Sequence, residues 1–455
     1  MLPLLCISTG RCKCWFATET LGKLKPESVA SKHPVVGFVS EPLCRFLSTR
    51  YGSLFKELKI CAHQNVGQCC SDSGGFVNNL SMARLVGWNV ALVTVLCSLT
   101  FAAAAGEQST EPPYRVETLA TGLKFPWSLA FLPNGDALLT EKFGELRILR
   151  KGGLDPAPVT GGPQNILQEG DSGLLDVVLD PAFETNQTVF IAFNEGTKEQ
   201  NHLAVFRAKF DGATLSGGKV IFRSSPEKAG PQHSGGRMVF LPDGTFLVTV
   251  SDGFTYRDAA QDLGSDLGKV LRLDRDGQVP RDNPFVGKEG ARPEIFTYGH
   301  RNALGLLVDP RNGDIWLHEN GPKGGDEINL LKPGLNYGWP KTTFGVDYSG
   351  ELVSKLQRAP GITDPVVVWV PSIAPSGFTL YLGKNFPQWT GDFFVGALAE
   401  KSIRRVKIRN GNWTEQQILL RELDTRIRDV RTGPDGNIYA LTDTVNGQVL
   451  RLSPR

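Results

Sequence analysis

One phrase recurs along the chain and restricts the fold more than any other feature: an apolar run, a turn of Pro, Asp, Asn and Gly, and a second apolar run. Four clear copies are Leu132-Pro133-Asn134-Gly135, Leu241-Pro242-Asp243-Gly244, Asp309-Pro310-Arg311-Asn312-Gly313 and Gly433-Pro434-Asp435-Gly436. Two looser copies begin at Asp180 and Trp389. Asn-Gly and Asp-Gly between apolar runs are the strongest short hairpin signals, because both central positions tolerate a positive φ.

Six such hairpins, at intervals of roughly 50–80 residues, predict an all-β fold: a six-bladed β-propeller of four-stranded antiparallel blades. Apolar residues show no sustained helical spacing after residue 106. The alternating segment 448–452 can pair with a segment around 114–118 and close the ring, which would leave no exposed sheet edge there. A β-sandwich array and a β-helix are the alternatives that the repeats leave open.

The first 105 residues differ from the rest, and all eight cysteines lie before residue 100. From Met82 a basic residue, an apolar stretch and an Ala-x-Ala end form the three parts of a secretory signal peptide. We expect 82–105 to be that signal peptide, with a retained N-terminal anchor as the alternative. We expect 1–81 to be an upstream extension, disordered or from a misassigned start, with a genuine additional segment as the alternative. The domain is expected at 106–455.

The segment 106–455 contains no cysteine, which fits secretion into a bacterial periplasm and a protein held together by its core. Ten of the 49 Lys and Arg residues and five of the 47 Asp and Glu residues precede residue 106, which leaves 39 basic and 42 acidic residues. This balance argues against nucleic acid or an anionic membrane surface as a partner. Membrane contact is expected only through the transient signal peptide.

Five stretches carry more charge and glycine than a blade connection needs, and in a propeller such loops gather around the central channel. The first, 230–237, places His233 in a loop of small and turn-forming residues. An imidazole held near backbone, with space for a ligand, is suited to act as a general base over a flat cofactor. A structural histidine is the alternative.

The second stretch, 298–305, contains the donor fork of Arg301 and the side-chain amide of Asn302. A loop-bracing arginine is the alternative there. The third, 319–329, combines carboxylates and bare carbonyls in a glycine-rich loop, which favours a hard cation such as Ca²⁺. Its spacing is not that of an EF-hand, and a solvated acidic turn is the alternative.

In the fourth stretch, Arg426 and Arg428 alternate along an extended segment, so both side chains point to one side. Beside a channel they would suit a polycarboxylate ligand, although a surface pair is the alternative. In the fifth, 171–181, a polar loop meets a buried strand, which is a weak signal alone.

Taken in order, these stretches resemble the soluble pyrroloquinoline quinone-dependent sugar dehydrogenases of the glucose/sorbosone dehydrogenase family, especially the bacterial aldose sugar dehydrogenases. The resemblance covers 113–455. It implies a six-bladed propeller with pyrroloquinoline quinone (PQQ) in the wide mouth of the channel. It also implies an oxidoreductase that converts the C1 hydroxyl of aldoses to lactones by hydride transfer to the quinone.

The resemblance implies a role for each matching residue. His233 matches the general base. The implied cofactor contacts are Arg301, Asn302, Asp326 beside the base, and the pair Arg426 and Arg428 on the quinone carboxylates. The carbonyls of Gly321 and Pro322 match ligands of a Ca²⁺ ion that bridges protein and quinone. Glu327 and the carbonyl of Tyr337 match a second, structural Ca²⁺ site.

Two positions depart from the family pattern. Asp171 stands where the family commonly has Gln, and an anion there would repel an anionic quinone unless it is protonated or turned away. Ala399 stands where the family tends to carry a cofactor-binding lysine, and Lys401 on the same strand face is expected to substitute in part. The loop 369–377 is expected on the substrate side, with Trp369 as a stacking platform for a pyranose.

An aldose and an external electron acceptor are the expected partners, and the protein is expected to be a monomer or a homodimer. Two other functions stay open. A calcium-dependent lactonase would place acidic metal ligands in the channel and would not need the arginine pair. A non-catalytic ligand-binding propeller is compatible with the same fold, because fold does not determine function.

Overall fold

The computed structural model describes residues 113–455, with Gly152 and Asn410 excepted. The predictions for the segment 1–81 and for the signal peptide at 82–105 lie outside the described residues. Among the described residues, no helix has the length and apolar character needed to cross a membrane.

The described chain forms six four-stranded antiparallel sheets, which confirms the six-bladed β-propeller. The first strand of the chain is β1 (Tyr114–Leu123). Blade 1 contains β2 (Pro126–Phe131), β3 (Ala137–Glu141), β4 (Leu146–Arg150) and β5 (Gly153–Leu154). Blade 2 contains β6 (Leu174–Leu179), β7 (Thr188–Gly196), β8 (Asn201–Phe210) and β9 (Leu215–Arg223). Blade 3 contains β10 (Gly235–Phe240), β11 (Phe246–Val250), β12 (Lys269–Leu273) and β13 (Ile295–Tyr298).

The remaining blades follow the same order from the channel outward. Blade 4 contains β14 (Ala303–Val308), β15 (Ile315–Glu319), β16 (Asp326–Leu331) and β17 (Val367–Trp369). Blade 5 contains β18 (Pro375–Leu380), β19 (Phe393–Ala397), β20 (Ser402–Arg409) and β21 (Asn412–Leu419). Blade 6 contains β22 (Ile427–Thr432), β23 (Ile438–Thr442) and β24 (Gly447–Pro454), and β1 is its outermost strand. Helical structure in the described chain is limited to α1 (Phe183–Asn186) and to 3₁₀ turns at Arg257–Gln261, Pro387–Trp389 and Arg421–Leu423.

The ring is closed by the two ends of the described chain, as the sequence predicts. β1 pairs antiparallel with β24, with Val116 opposite Leu452 and Thr118 opposite Leu450. Neighbouring innermost strands also contact each other around the whole ring, from β2 through β22 and back to β2. The first and last strands of the domain are therefore held in one sheet, and the sheet edges beside the channel are covered by neighbouring blades.

Each of the six recurring phrases forms the connection between the first and second strands of one blade. The conformation of the clear copies differs from the expected two-residue turn in one respect. Only the glycine has a positive φ, for example 89° at Gly135 and 85° at Gly244. The preceding side chain instead accepts a backbone hydrogen bond two residues on, as Asp243 Oδ1 does from Thr245 N at 2.9 Å. This Asx-type turn explains why the position before the glycine is always Asn or Asp in the four clear copies.

Burial falls from the second strand of each blade to the outermost one. β3, β11, β19 and β23 are buried along their whole length, because both faces are covered by neighbouring blades. The outermost β9, in contrast, is mostly exposed or half-buried. The apolar clusters lie between adjacent blades, so packing of blade on blade supplies the core.

A buried arginine ties several innermost strands together at the centre of the ring. The guanidinium of Arg237 in β10 forms ion pairs with Asp176 of β6 at 3.3 Å and Asp429 of β22 at 3.0 Å. Its Nε donates to the carbonyl of Leu304 in β14, and its Cζ lies 4.1 Å from the ring centroid of Trp127 in β2. Five blades therefore meet at the side chain of Arg237. Two of the residues that it contacts, Trp127 and Leu304, also line the cavity described in the next subsection.

Candidate active site

A cavity of about 240 Å³ opens where the chain enters the innermost strands. The segments before or at the start of β2, β6, β10, β14, β18 and β22 all contribute to its lining, so every blade reaches it. Its lining residues are Trp127, Asp171, His233, Ser234, Gly235, Arg301, Asn302, Leu304, Asn320, Gly321, Tyr348, Ser372, Ala374, Leu398, Arg426 and Arg428. Residues from all five stretches selected from the sequence therefore line one cavity.

The imidazole of His233 is oriented by a buried carboxylate. His233 Nδ1 lies 2.7 Å from Asp252 Oδ1, and both residues are buried. Burial works to raise the pKa of Asp252, but the hydrogen bond from His233 and the charges of His233 and Arg301 hold that pKa below its ordinary value. An ionised carboxylate only accepts hydrogen bonds, so His233 Nδ1 donates to Asp252, and in the neutral imidazole Nε2 is the nitrogen that has the lone pair.

The loop that carries His233 is itself held on both sides. His233 has a φ of 49°, a left-handed conformation that a residue with a Cβ seldom adopts. Ser172 Oγ donates to the carbonyl of Pro231 at 2.9 Å, and Asn201 Nδ2 donates to the carbonyl of Gly230 at 3.1 Å. Strain of this kind persists where surrounding structure enforces it, and it is common at functional sites.

Arg301 connects the cavity to the glycine-rich loop of blade 4. Its Nη1 donates to the carbonyls of Asn320 at 2.9 Å and Gly321 at 2.7 Å, and its backbone N–H donates to Glu319 Oε2 at 2.6 Å. Its Cζ lies 5.3 Å from the ring centroid of Trp339. The neighbouring Asn302 Oδ1 accepts a hydrogen bond from Ser251 Oγ at 2.8 Å, which fixes the orientation of its amide in the cavity wall.

Arg426 and Arg428 converge on one buried carboxylate, so the prediction that they point to the same side is confirmed. Arg426 Nε lies 2.9 Å from Asp443 Oδ2 and Arg428 Nη2 lies 3.1 Å from the same oxygen. Burial works to raise the pKa of Asp443, but the charges of Arg428 and Arg426 hold that pKa below its ordinary value. One carboxylate cannot neutralise two guanidinium groups, so this end of the cavity retains positive charge.

A lysine that sequence reasoning did not select adds to this charge. Burial and the nearby charge of Arg428 are the leading causes that lower the pKa of Lys142, and Asp443, Asp171 and Arg426 also act on it. Lys142 Nζ donates to the carbonyl of Gly170 at 2.8 Å, next to Asp171. The carboxylate of Asp171 therefore lies among cations, which offset the repulsion that its charge would otherwise exert on an anionic ligand.

Lys401 does not line the cavity. Its Nζ forms an ion pair with Asp424 Oδ1 at 2.9 Å, and its backbone has a left-handed φ of 57° immediately before β20. That conformation turns the residue out of the regular alternation from which its position was predicted. A contact between Lys401 and the cofactor stays a prediction that the described geometry does not support.

Trp369 also lies away from the cavity that contains His233. It is 5% exposed at the end of β17 and lines a second cavity together with Trp413 and Glu400. Ser372, three residues on, lines both cavities. The loop 369–377 thus reaches the predicted substrate side, but it does so through Ser372 and Ala374, and a stacking role for Trp369 stays an unsupported prediction.

Asp326 braces the cavity wall rather than the base. Its carboxylate accepts hydrogen bonds from Ile373 N at 2.6 Å, Ala374 N at 3.0 Å and Gly321 N at 2.9 Å. Burial raises the pKa of Asp326 to about 6 in spite of these hydrogen bonds. The carboxylate hydrogen-bonded to His233 is Asp252, a residue for which the sequence gives no spacing signal, since the two are 19 positions apart.

The oxygen atoms beside Arg301 suit a hard cation. Asn320 Oδ1 is buried with no hydrogen-bond partner among the described residues, and Asn320 and Gly321 both line the cavity. An unpaired buried oxygen next to backbone carbonyls is part of a Ca²⁺-type donor set. No group of three or more His, Cys, Asp or Glu side chains in the described chain could hold a metal, so such a site would depend on carbonyl and amide oxygens.

A third and smaller cavity, of about 10 Å³, is lined by Arg301, Glu327 and Tyr337 among other residues. Burial and the charge of Glu319 raise the pKa of Glu327 well above its ordinary value. Asn329 Nδ2 donates to both carboxylates, at 3.2 Å to Glu319 and 3.3 Å to Glu327. Two buried carboxylates that share one donor favour either a shared proton or a bound cation. The second Ca²⁺ site implied for Glu327 and the carbonyl of Tyr337 stays a prediction.

Comparisons with known proteins identify the family of this chain. A profile of the Glucose / Sorbosone dehydrogenase family matches residues 123–451. The chain is 40% identical over 346 residues to the aldose sugar dehydrogenase YliI of Escherichia coli, which covers 75% of this chain and 93% of that protein.

Two solved structures of aldose sugar dehydrogenases have a similar fold, at 39% and 26% sequence identity. The apo form of soluble aldose sugar dehydrogenase from Escherichia coli superposes with a TM-score of 0.73 at 39% identity, covering 75% of this chain and all of that one. The PQQ-bound form of an aldose sugar dehydrogenase from Streptomyces coelicolor superposes with a TM-score of 0.61 at 26% identity, covering 75% of this chain and 99% of that one.

Proposed function

Because this chain belongs to the glucose/sorbosone dehydrogenase family, we propose that it is a PQQ-dependent dehydrogenase that oxidises the C1 hydroxyl of aldose sugars to lactones. His233 is the general base of this proposal. The observation that carries it is the His233–Asp252 pair, with Nδ1 and Oδ1 2.7 Å apart, in a cavity that every blade helps to line. A family match alone does not identify a base, and the hydrogen bond that orients the imidazole on Asp252 supports His233 in that role.

The chain's own residues account for the movement of the proton. His233 Nε2 accepts the proton of the C1 hydroxyl, and the resulting imidazolium is stabilised by the carboxylate of Asp252 on Nδ1. The oxygen of C1 then forms a carbonyl bond to C1 while the C1 hydrogen leaves with its electron pair. When bound, PQQ supplies the acceptor for that hydride. The proton on Nε2 is returned to solvent, and an external acceptor takes the two electrons.

The cationic end of the cavity fits a ligand with several carboxylates. Arg426 and Arg428 would hold carboxylates there, since Asp443 neutralises only part of their charge. Arg301 and Asn302 would contact the opposite end, where Arg301 is fixed by the carbonyls of Asn320 and Gly321. Trp127 and Leu304 contribute apolar side chains to the cavity lining.

The carbonyls of Gly321 and Pro322 would hold Ca²⁺ beside the quinone, and the unpaired Asn320 Oδ1 supports an additional oxygen ligand there. A cation held there would supply Lewis-acid chemistry to the bound quinone. Glu327 and the carbonyl of Tyr337 would hold a second, structural Ca²⁺, which would relieve the repulsion between Glu327 and Glu319. Asp326 would support both the first ion and the substrate side through Gly321 and the 372–374 segment.

The proposal places the protein in the periplasm, exported by the signal peptide at 82–105 and acting as a monomer or a homodimer. One alternative function has an observation in its favour. Asp171 and Ala399 stand where the family has an amide and a lysine, which would suit a propeller that binds a ligand without turnover. The cations around Asp171 weaken that argument.

Dye reduction by the purified protein with added PQQ and Ca²⁺, measured over a panel of aldoses, tests the proposal. We expect turnover that depends on PQQ. We also expect His233→Ala to lower kcat by about 10²–10⁴, the range for loss of a general base. His202→Gln is the matched control, because His202 does not line the cavity and its Nε2 is hydrogen-bonded to Glu195 Oε2 at 3.0 Å. Absence of turnover in the wild type, or full activity in His233→Ala, contradicts the proposal.

A further inference from the structure

Two exposed aromatic rings lie near the base, and one of them lines the cavity. The ring centroid of Phe254 lies 5.0 Å from that of His233, with the planes at 90°. The ring of Tyr348 continues from it, at 6.4 Å between centroids and 30° between planes, and Tyr348 lines the cavity. Phe254 is 40% exposed and Tyr348 is 57% exposed. Adjacent exposed aromatic rings are more common at binding surfaces than elsewhere on a soluble protein.

The position of Phe254 is enforced by the same carboxylate that orients the base. Its φ of 69° is left-handed, which is unfavourable for a bulky side chain. The strain is retained because Phe254 N donates to Asp252 Oδ1 at 2.9 Å, the oxygen that also contacts His233 Nδ1. One oxygen atom therefore fixes the distance between the base and this aromatic ring, and strain maintained in this way is common where a ligand must be positioned.

Tyr348 contacts Arg301, which also lines the cavity. The Arg301 Cζ lies 5.8 Å from the Tyr348 ring centroid, and Arg301 Nη2 is 3.5 Å from the Tyr348 hydroxyl. The adjacent Asp347 forms an ion pair with Arg257 at 2.9 Å and receives a backbone hydrogen bond from Gly350. Both contacts anchor the loop that presents the ring, so Tyr348 does not depend on Phe254 for its position.

The chemistry of a pyranose matches this surface. A pyranose ring carries C–H groups on its faces, and these groups pack against the electron-rich face of an aromatic ring. Trp369, the aromatic side chain that the sequence suggested for this purpose, is 5% exposed and lines a different cavity. Phe254 and Tyr348 are the aromatic residues that combine exposure with contact to His233 or to Arg301 in the described chain.

We infer that Phe254 and Tyr348 form an aromatic wall against which the pyranose ring of the substrate stacks while its C1 hydroxyl faces His233. The inference rests on the proposed function and assigns to it the two residues that select a sugar ring over an acyclic alcohol. The wall contributes to binding of the ring and takes no part in proton transfer, so its loss acts on KM and not on kcat.

Steady-state kinetics with an aldopyranose at saturating PQQ and Ca²⁺ test this wall. Phe254→Leu keeps apolar volume and removes the ring, and Tyr348→Ala removes the second ring. Each is expected to raise KM about tenfold, the factor that corresponds to 1.4 kcal/mol, with kcat within about twofold of wild type. Tyr348→Phe keeps the ring and is expected to keep a nearly normal KM. The matched control is Leu352→Ala, which removes an exposed apolar side chain of the same loop outside the cavity lining.

A lowered kcat with an unchanged KM would mean that the rings position the base, and unchanged KM in both variants would mean that they do not touch the sugar; either result overturns the inference. Saturation-transfer NMR of the PQQ-loaded protein with the same sugar separates this from failure of the proposed function. Transfer to the ring C–H protons that is lost in the double variant Phe254→Leu/Tyr348→Ala supports the wall even without turnover. Equal transfer in wild type and double variant, or none in wild type, refutes it.

Discussion

The substitution Asp252→Asn probes the pair that orients the base at nearly constant volume. The Asp252 carboxylate accepts from three donors: His233 Nδ1 at 2.7 Å, Phe254 N at 2.9 Å and Trp339 Nε1 at 2.7 Å. The first two share Oδ1 and the third uses Oδ2. Asparagine has one acceptor oxygen and an NH₂ group that only donates. In either orientation a donor is therefore left facing NH₂, at a cost of about 1–3 kcal/mol for a buried group.

The larger effect is on catalysis. If NH₂ faces His233, the imidazole must accept at Nδ1, and its proton moves to Nε2, where it blocks proton transfer from the sugar. If NH₂ faces Trp339, the tautomer is kept, but no negative charge stabilises the imidazolium that forms during the reaction. In both cases we expect kcat to fall by about 100-fold or more, within the range for general-base catalysis, or about 2.7 kcal/mol. KM is expected to stay within about threefold, since Asp252 does not line the cavity.

Steady-state dye reduction at saturating PQQ and Ca²⁺ measures this change, and thermal unfolding checks that the variant is folded. Trp339→Phe is the control, because it removes one donor to Asp252 and leaves the carboxylate on His233 unchanged. We expect its kcat to stay within about fivefold of wild type, because the carboxylate keeps its hydrogen bond from His233 Nδ1. A folded Asp252→Asn protein with a kcat within about threefold of wild type would refute the reasoning.

Four further predictions concern binding and stability. Asp171→Gln is expected to lower the Kd for PQQ, measured by absorbance titration, because it removes a negative charge from the cavity lining. An unchanged or higher Kd would show that the charge of Asp171 does not repel the quinone. Arg237→Leu is expected to lower the free energy of unfolding, measured in urea, by about 3–5 kcal/mol, because Asp176 and Asp429 stay buried without the Arg237 guanidinium. The control Arg358→Ala, which removes an exposed ion pair with Asp364, is expected to lower it by less than about 1 kcal/mol. Gly305→Ala is expected to destabilise by about 1–3 kcal/mol, because its Cβ would lie 2.1 Å from His318 Nε2, while Gly162→Ala, with nothing within 4 Å, is expected to be neutral in the same measurement. Burial, followed by the charge of Arg237, lowers the pKa of His318 to about 3. As pH falls, this imidazole is therefore protonated in the unfolded chain before it is protonated in the folded one, and the free energy of unfolding decreases from about pH 6.5 towards pH 3. His318→Leu is expected to flatten that decline between pH 7 and pH 5, and an unchanged slope would contradict a neutral, buried His318.

The sequence was sufficient for the ring and for most of the cavity, and the reasons are local. Each turn phrase, such as 241–244, combines a glycine with a positive φ and an Asx side chain that caps the backbone, so short segments report their own conformation. Repetition of that phrase then implies the number of blades. Loops before the innermost strands must meet at the channel in any propeller, which is why His233, Arg301 and Arg426 lie around one cavity.

The residues that sequence reasoning missed depend on contacts between distant segments. Asp252 lies after β11 and reaches His233 only because β10 and β11 pair in one register. Lys142 of blade 1 is far from the arginine pair of blade 6 in the sequence and comes near it because these two blades are neighbours in the closed ring. Strand alternation predicts Lys401 at the cavity, but Lys401 adopts a left-handed backbone. The family resemblance predicts Trp369 on the substrate side, but Trp369 lies on the outermost strand of its blade. Exposure of Phe254 and Tyr348 has no sequence signature at all.

Single-turnover reduction of protein-bound PQQ by an aldose, followed by absorbance without added dye, tests most directly whether the sugar is oxidised at C1 in this cavity with His233 as the base. We predict that the absorbance of the bound quinone changes on mixing, and that deuterium at C1 slows the change because the C1–H bond breaks in that step. We also predict that His233→Gln slows it by about 100-fold or more. The account would be contradicted by no change on mixing, by equal rates with protium and deuterium at C1, or by a normal rate in His233→Gln.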